Sequence, residues 1–351
     1  MSDQVRTALA AVVEGRTLTL GEARAAMGSV MDGEATPALL AALLVALRMR
    51  GETVDELAGF ATAMRERVVP VAAPDGAIDT CGTGGDNSGT FNISTTAALV
   101  VAAAGIPVAK HGNRAMTSRS GSADVLDALG VRIDHDAESA ATALRDNGFA
   151  FLFAQGFHPA MKHAGPTRRE IGVRTAFNLI GPLTNPAGAR RQVVGVADPA
   201  AAPRLAAVLH RLGTERAFVV GGDGIDELPL DATGTIHDVS PEGIEVRAVD
   251  ATALGLTRAA TAKLAGGSPE DNARIVEAVL RGEPGARRDV VLLNAAAGLV
   301  VAGAVDDLAA GIERAALTID AGLAVELLDR LRVERQAAET ARPGVAEGAP
   351  A

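Results

Sequence analysis

Residues 79–96 read DTCGTGGDNSGTFNISTT, a glycine-rich segment between two different apolar patterns. The short apolar run at 77–78 predicts a strand, and the apolar residues from about Ala97 predict a helix. Glycines let backbone N–H groups approach phosphate oxygens, and Ser94 or Thr95 can place a hydroxyl at the positive N-terminus of that helix. The segment therefore predicts a strand, an anion-binding loop and a helix, which is the local unit of an α/β fold.

Two familiar phosphate-binding motifs do not match this loop. A Walker A loop requires Gly-x4-Gly-Lys-Ser/Thr, but Gly84 and Gly89 are followed by Thr90 and Phe91. A dinucleotide fingerprint requires a third glycine where this chain has Asn87. A glycine-rich turn alone is often structural, whereas Asn-Ile-Ser-Thr-Thr at a helix start favours an anion site.

The chain continues with the same alternation of strands and helices. Strands are predicted at 77–78, 107–109, 149–153, 193–196 and 217–220. Helices are predicted at 94–104, 121–129, 137–147 and 199–212. The alternation predicts an α/β domain with a mainly parallel sheet, whose functional loops lie beyond the carboxyl ends of the strands.

Both ends of the chain predict helices without strands. Two capping-box patterns, at 19–22 and 53–56, each precede helical periodicity within residues 1–70. A stretch with two prolines, 68–75, predicts a linker. Four C-terminal helices are predicted at 268–281, 286–303, 306–316 and 319–335. The remaining tail, 336–351, is rich in Ala, Glu, Gly and Pro and is predicted to be disordered.

Composition and charge exclude several classes of function. The formal net charge of -10 argues against a nucleic-acid partner and against an anionic membrane surface. Cys81 is the only cysteine, so no disulfide can form within the chain. The first residues lack the layout of a signal peptide, and the longest apolar stretch, 97–109, is too short for a membrane span. A cytoplasmic protein is expected.

A second polar cluster, KHGNRAMTSRSGSAD at 110–124, follows another predicted strand. Lys110 can act as a point charge on phosphate, and the hydroxyls and amides supply directed hydrogen bonds. The alternative is a solvated loop. The density of small polar residues after a strand favours a binding site.

The third and fourth clusters carry charged side chains. His158 and His163 are five residues apart, which is wrong for two metal ligands on one helix face, so a structural role is expected for them. An arginine after Pro166 could hold a carboxylate with two parallel hydrogen bonds. Asp226 and Glu227 follow a predicted strand and suit Mg²⁺ that bridges to a pyrophosphate. An acidic surface turn is an equally good interpretation of that pair alone.

Together, these clusters resemble the anthranilate phosphoribosyltransferases of tryptophan biosynthesis, from about residue 3 to residue 335. The resemblance implies the two-domain fold of nucleoside phosphorylases and phosphoribosyltransferases. A small helical domain, 1–70 with helices from about 165–189, would join a larger α/β domain, 71–164 and 190–335. It also implies a homodimer. The implied reaction moves the 5-phosphoribosyl group from 5-phosphoribosyl 1-pyrophosphate to the amino group of anthranilate.

The same resemblance implies the site residues. For the sugar pyrophosphate they are Gly82, Gly85, Asp86, Thr90, Asn92, Ile93, Ser94, Thr95, Lys110, His111, Gly112, Asn113, Arg114, Ala115, Met116, Thr117, Ser118 and Ser122. For anthranilate they are Gly82, Asn113 and Arg168, with Arg168 on the carboxylate. Ser94, Asp226 and Glu227 would hold Mg²⁺, as two ions bridged by the pyrophosphate.

No general base is expected, because the aromatic amine is neutral at pH 7. Positioning and stabilisation of the leaving group should supply most of the rate. Two alternatives remain at this point. One is a pyrimidine nucleoside phosphorylase on the same fold, and the other is a nucleic-acid-binding relative that has lost catalysis.

Overall fold

The computed structural model describes residues 3–86, 88–115, 119–222 and 224–341. Three predicted site residues, Met116, Thr117 and Ser118, lie outside these ranges. The strands are β1 Ile78–Gly82, β2 Val108–Gly112, β3 Phe149–Phe153, β4 Arg191–Gly195, β5 Arg216–Gly221, β6 Gly234–Ser240 and β7 Gly243–Val249.

The α-helices are α1 Asp3–Val13, α2 Leu20–Met31, α3 Pro37–Arg50, α4 Val54–Arg65, α5 Ile93–Ala103, α6 Ser122–Ala128, α7 Ala137–Asn147, α8 Ala154–Phe157, α9 Gly165–Ile171, α10 Ala176–Ile180, α11 Ala202–Arg211, α12 Pro269–Leu280, α13 Ala286–Val301, α14 Leu308–Asp320 and α15 Leu323–Ala341. Short 3-10 turns lie at Pro159–His163, Gly181–Leu183, Thr252–Leu254 and Thr261–Leu264.

The N-terminal helices begin where the capping patterns predict. The hydroxyls of Thr19 and Thr53 accept hydrogen bonds from the N–H groups of Glu22 and Glu56. In return, the carboxylate of each glutamate accepts a hydrogen bond from the backbone N–H of its threonine. The α9 and α10 region packs on these helices, and Phe177 is buried in the same apolar cluster as the side chains of α1–α4. We call α1–α4 together with α9 and α10 the helical domain.

The sheet has the strand order β3-β2-β1-β4-β5-β6-β7. The first five strands are parallel, and β6 and β7 add an antiparallel edge. The order reverses direction between β1 and β4, whose last residues Gly82 and Gly195 are register partners. Such a reversal opens a crevice at the carboxyl ends of the strands, where ligands bind in open α/β sheets. The loop of residues 83–92 begins at this crevice.

Two parts of the fold differ from the sequence prediction. The β6–β7 hairpin was not predicted, because most of β7 is exposed and buries no continuous apolar face. The tail prediction of 336–351 was wrong in its first six residues, since α15 continues to Ala341. Arg335 pairs with Glu339 one helical turn later, at 2.9 Å, and this supports the extra length. The residues after Ala341 lie outside the described ranges.

Among the described helices, none combines the length and the apolar character that crossing a bilayer requires.

Candidate active site

Two strand ends meet the segment that carries the predicted metal ligands. A Cβ atom on Gly82 would lie 2.4 Å from Oδ2 of Asp226, and one on Gly195 would lie 1.7 Å from the Asp226 carbonyl oxygen. Neither position can accept a side chain without displacing this segment. The two glycines therefore let the Asp226 segment reach the switch point of the sheet.

Three carboxylates gather there: Asp86, Asp226 and Glu227 each offer an oxygen within 4.8 Å of the others. Burial raises the pKa of Asp226, and the nearby charge of Asp86 adds to the effect. Burial raises the pKa of Glu227 well above its ordinary value, and repulsion from the charges of Asp226 and Asp86 raises it further. Oε2 of Glu227 is buried without a hydrogen-bond partner among the described residues. Such a group of oxygens suits a hard divalent cation, which would offset the mutual repulsion.

The cluster contains both predicted metal carboxylates and adds Asp86, which was predicted only as a contact to the sugar pyrophosphate. Ser94, the third predicted ligand, lies in the first turn of α5 and is half-buried. Its carbonyl oxygen accepts a hydrogen bond from the Thr80 hydroxyl at 3.3 Å.

The glycine loop adopts a backbone that few other residues tolerate. Gly84 and Gly85 have φ values of 62° and 71°, in the left-handed region. The Gly84 N–H donates to Oδ2 of Asp226 at 3.1 Å, which ties the loop to the carboxylate cluster. On its other side, Arg174 donates to the carbonyl of Gly84 and, at 3.2 Å, to that of Thr83. The loop is thus fixed from both the sheet and the helical domain.

A polar pocket of about 200 Å³ lies beside this loop. Its wall is held by Asn92, whose Nδ2 donates to the Ser120 carbonyl at 3.1 Å. Oδ1 of Asn92 accepts from Nδ2 of Asn272 at 2.9 Å and from the Ser120 hydroxyl at 3.3 Å. Thr90 pairs with Ala265 in an isolated β-bridge. These bonds join Asn92, the residue before α5, to Ser120 and Asn272, which both line the pocket.

Ile93 and Thr95, in the first turn of α5, are buried and anchor that turn in the core. Their side chains are therefore not accessible to a ligand. The Ile93 N–H donates to the Phe91 carbonyl at 2.7 Å, which also fixes the start of the helix.

Lys110 is buried beneath the loop, with 2% of its surface exposed. Its Nζ donates to the Thr80 carbonyl, and burial lowers its pKa while Asp79 opposes that shift. Asp79 also accepts the His111 N–H at 3.1 Å, and burial raises the pKa of Asp79. Glu227 and Asp226 also raise the pKa of Lys110, so its amino group lies near the carboxylate cluster.

The rest of the second cluster lies between β2 and α6. The Ser122 hydroxyl donates to the Asn113 carbonyl at 3.3 Å, and a Cβ on Gly112 would meet Oγ of Ser122 at 2.3 Å. Arg114 pairs at 2.9 Å with Asp124, which also accepts the Ala115 N–H at 2.8 Å. The Arg114 guanidinium is thus engaged by α6.

His111 and His158 form a buried pair, with their Nε2 atoms 3.2 Å apart. Burial lowers the pKa of His111 to about 3 and that of His158 to about 4. Both rings are therefore neutral at pH 7, and one must donate to the other. The structural role expected for His158 agrees with this contact.

Arg168 projects from α9, with its guanidinium carbon 4.7 Å from the centre of the Phe177 ring. Burial lowers its pKa. No carboxylate in the described part of the chain forms an ion pair with it, unlike Arg114 and many other arginines. A half-buried cation without an anion partner can accept the carboxylate of a ligand.

Comparison with known proteins gives one consistent result. Residues 6–68 match the helical bundle domain of the glycosyl transferase family, and residues 74–325 match its a/b domain. The anthranilate phosphoribosyltransferase of Thermomicrobium roseum is 52% identical over 94% of this chain and 96% of its own. That of Chloroflexus aggregans is 54% identical over 93% and 97%. This chain belongs to the anthranilate phosphoribosyltransferase family.

Solved anthranilate phosphoribosyltransferases share the fold. The crystal structure from Thermus thermophilus superposes with a TM-score of 0.89 at 45% identity, covering 94% of this chain and 99% of that one. The enzyme from Saccharomyces cerevisiae, in complex with phosphoribosyl pyrophosphate and Mg, gives 0.87 at 25% identity, covering 96% and 99%. The predicted family and fold class, a helical domain with a larger mainly parallel α/β domain, are confirmed.

Three residues of this anthranilate phosphoribosyltransferase site were not predicted: Arg174, Ser120 and Asn272. Each contacts the glycine loop or Asn92 from another part of the chain, and the Asn272 contact spans 180 positions. Gly266 and Gly267, which precede Asn272 and line the pocket, gave a weak local signal.

Proposed function

We propose that this chain transfers the 5-phosphoribosyl group of 5-phosphoribosyl 1-pyrophosphate to the amino group of anthranilate and releases pyrophosphate. The observation that carries the proposal is the cluster of Asp86, Asp226 and Glu227, in which burial raises the pKa of two carboxyls beside a phosphate-binding loop. Arg168 on the helical domain, which forms no ion pair with any described carboxylate, would supply the second half of the site. The yeast relative was solved with phosphoribosyl pyrophosphate and Mg bound, which supports the same substrate here.

The sugar pyrophosphate would lie along the glycine loop and the start of α5. Backbone N–H groups around Gly82, Gly85 and Ser94 would donate to phosphate oxygens at the positive end of the helix. Thr90, Asn92 and the 110–118 loop would complete the site. Lys110 would balance part of the ligand's negative charge, because it is a buried basic residue near Asp226 and Glu227.

Mg²⁺ fits the carboxylate cluster, since its oxygens repel one another and Oε2 of Glu227 lacks a partner among the described residues. We propose two ions, held by Asp226, Glu227 and Ser94, with Asp86 as a further oxygen ligand. When bound, the metal supplies charge neutralisation of the departing pyrophosphate. The protein keeps the carboxylates close together before substrate arrives, and Gly84 orients Asp226.

Anthranilate would place its carboxylate on Arg168, with Gly82 and Asn113 lining its ring. The amine is neutral at pH 7, so the chain has to position it and need not remove a proton before attack. Loss of pyrophosphate from the sugar carbon builds oxocarbenium character, as in glycoside cleavage. The buried His111–His158 pair is neutral at pH 7 and adds no positive charge to the site.

A pyrimidine nucleoside phosphorylase shares this fold and is the main competing activity. The test is to supply purified protein with either anthranilate and the sugar pyrophosphate, or thymidine and phosphate, both with Mg²⁺. We expect product only from the first pair of substrates. The product is separated from the substrates and identified by its mass in mass spectrometry. Thymine release from the second pair, without product from the first, would overturn the proposal.

We also propose a homodimer in the cytoplasm, with the domain division stated from the sequence. Met49 and Val13 are 84% and 70% exposed on α3 and α1, which pack against each other. The family resemblance implies the dimer, and these exposed side chains are available to such an interface. Light scattering on the purified protein measures the mass, and a monomer at micromolar concentration would contradict this part.

A further inference from the structure

Arg174 lies in the short segment between α9 and α10, and its guanidinium crosses from the helical domain to the glycine loop. It donates to two successive carbonyls, those of Thr83 and Gly84. A planar guanidinium suits this, because its N–H groups are held in a fixed fork. The contact is between residues 90 positions apart and joins the two domains at the site.

Peptide planarity makes these two bonds determine where the loop's N–H groups point. In a trans peptide the carbonyl and the N–H point in opposite directions. The Thr83–Gly84 peptide directs its carbonyl at Arg174 and its N–H at Oδ2 of Asp226, 3.1 Å away. The Gly84–Gly85 peptide also directs its carbonyl at Arg174, so the Gly85 N–H points away from the arginine. No described acceptor takes that N–H.

The residue at position 85 is constrained by the same arginine. A Cβ on Gly85 would lie 2.1 Å from Nη1 of Arg174, and the φ of 71° is in the left-handed region. Glycine at 85 is therefore required for the arginine to reach the loop, besides being suited to the turn.

We propose that Arg174 is a positioning residue of the transfer reaction. It orients the Gly85 N–H towards a phosphate oxygen of the sugar pyrophosphate and, through the Thr83–Gly84 peptide, holds Asp226 in the metal-binding cluster. Arg174 follows Arg168 by six residues, with Gly172 ending α9 between them. The segment 168–174 would therefore carry the anthranilate contact and also fix the sugar-pyrophosphate loop. This inference rests on the proposed function.

The test compares Arg174→Ala and Arg174→Lys with wild type, and uses Arg169→Ala as the control because Arg169 is an exposed arginine on α9. Losing the two charge-assisted bonds should raise KM for the sugar pyrophosphate about 10- to 100-fold. The Mg²⁺ concentration for half-maximal rate should rise with it, since Asp226 loses its support. Lysine keeps the charge but not the fork, so Arg174→Lys should recover little. Arg169→Ala should match wild type.

Calorimetric binding of the Mg²⁺-bound sugar pyrophosphate, without anthranilate, gives a readout that does not depend on turnover. Weaker binding by Arg174→Ala, with a melting temperature within a few degrees of wild type, supports the positioning role. Wild-type affinity in Arg174→Ala, or full recovery by Arg174→Lys, would overturn it. Absence of turnover in wild type would overturn the proposed function instead, and the calorimetry would still decide the role of Arg174.

Discussion

Replacing Arg168 by Ala should damage the use of anthranilate and spare the binding of the sugar pyrophosphate. The guanidinium is half-buried over Phe177 and has no carboxylate partner among the described residues, so a ligand carboxylate would meet a cation that is little screened by water. Losing a charge-assisted bidentate contact costs about 1.5–3 kcal/mol, which corresponds to a rise of about 10- to 100-fold in KM for anthranilate. The contact with Phe177 is lost as well, at about 0.5–1 kcal/mol of folding stability.

The assay is the initial rate against each substrate in turn, followed by anthranilate fluorescence, with a thermal melt on each protein. Arg169→Ala is the matched control, because it removes the next arginine of α9 from an exposed position. Arg168→Lys should fall between wild type and Arg168→Ala, since an ammonium gives charge without two parallel bonds. Equal loss of affinity for both substrates, or an equal effect of Arg169→Ala, would refute the assignment.

Three further outcomes follow from the site. Asp226→Asn with Glu227→Gln should raise the Mg²⁺ requirement and lower kcat, and superimposable Mg²⁺ curves would show that the pair does not hold the metal. Because burial raises the pKa of both carboxyls, their ionisation opposes folding as pH rises, so the double variant should be at least as stable as wild type at pH 8 by denaturant titration. Gly85→Val should abolish calorimetric binding of the sugar pyrophosphate while the protein still folds, and a collapsed circular dichroism melt would show that the loop is structural. Burial lowers the pKa of His111 to about 3 and of His158 to about 4, so both rings stay neutral in the folded protein while the unfolded chain takes up protons below about pH 6.5. The free energy of unfolding should therefore fall by about 2 kcal/mol per histidine between pH 7 and pH 5. His111→Gln with His158→Gln should flatten this pH dependence, and parallel curves for wild type and variant would contradict the burial argument.

Local signals in the sequence predicted much of this fold because they act over a few residues. Thr19 and Thr53 begin their helices with capping boxes, and the glycine loop between β1 and α5 forms as its composition indicates. Exposed elements gave weaker signals. The β7 strand presents mostly exposed residues, so its pattern lacks the buried face that identifies a strand.

The site could be predicted only where its residues share a short motif. Asp226 and Glu227 are adjacent in sequence, whereas Asp86 joins them through the close approach of two strand ends. Arg174 and Asn272 reach the loop and Asn92 through tertiary contacts that leave no local pattern. What these side chains do depends on which carbonyl or amide group they contact, and the sequence alone does not specify those contacts.

The central claim is that one site binds both substrates and joins them with loss of pyrophosphate. The most direct measurement follows anthranilate fluorescence and released pyrophosphate together, in one reaction of purified protein, Mg²⁺, 5-phosphoribosyl 1-pyrophosphate and anthranilate. We predict that fluorescence decays only when all components are present, with one pyrophosphate released for each anthranilate consumed. Pyrophosphate release at the same rate without anthranilate, or no decay at any enzyme concentration tried, would contradict the claim.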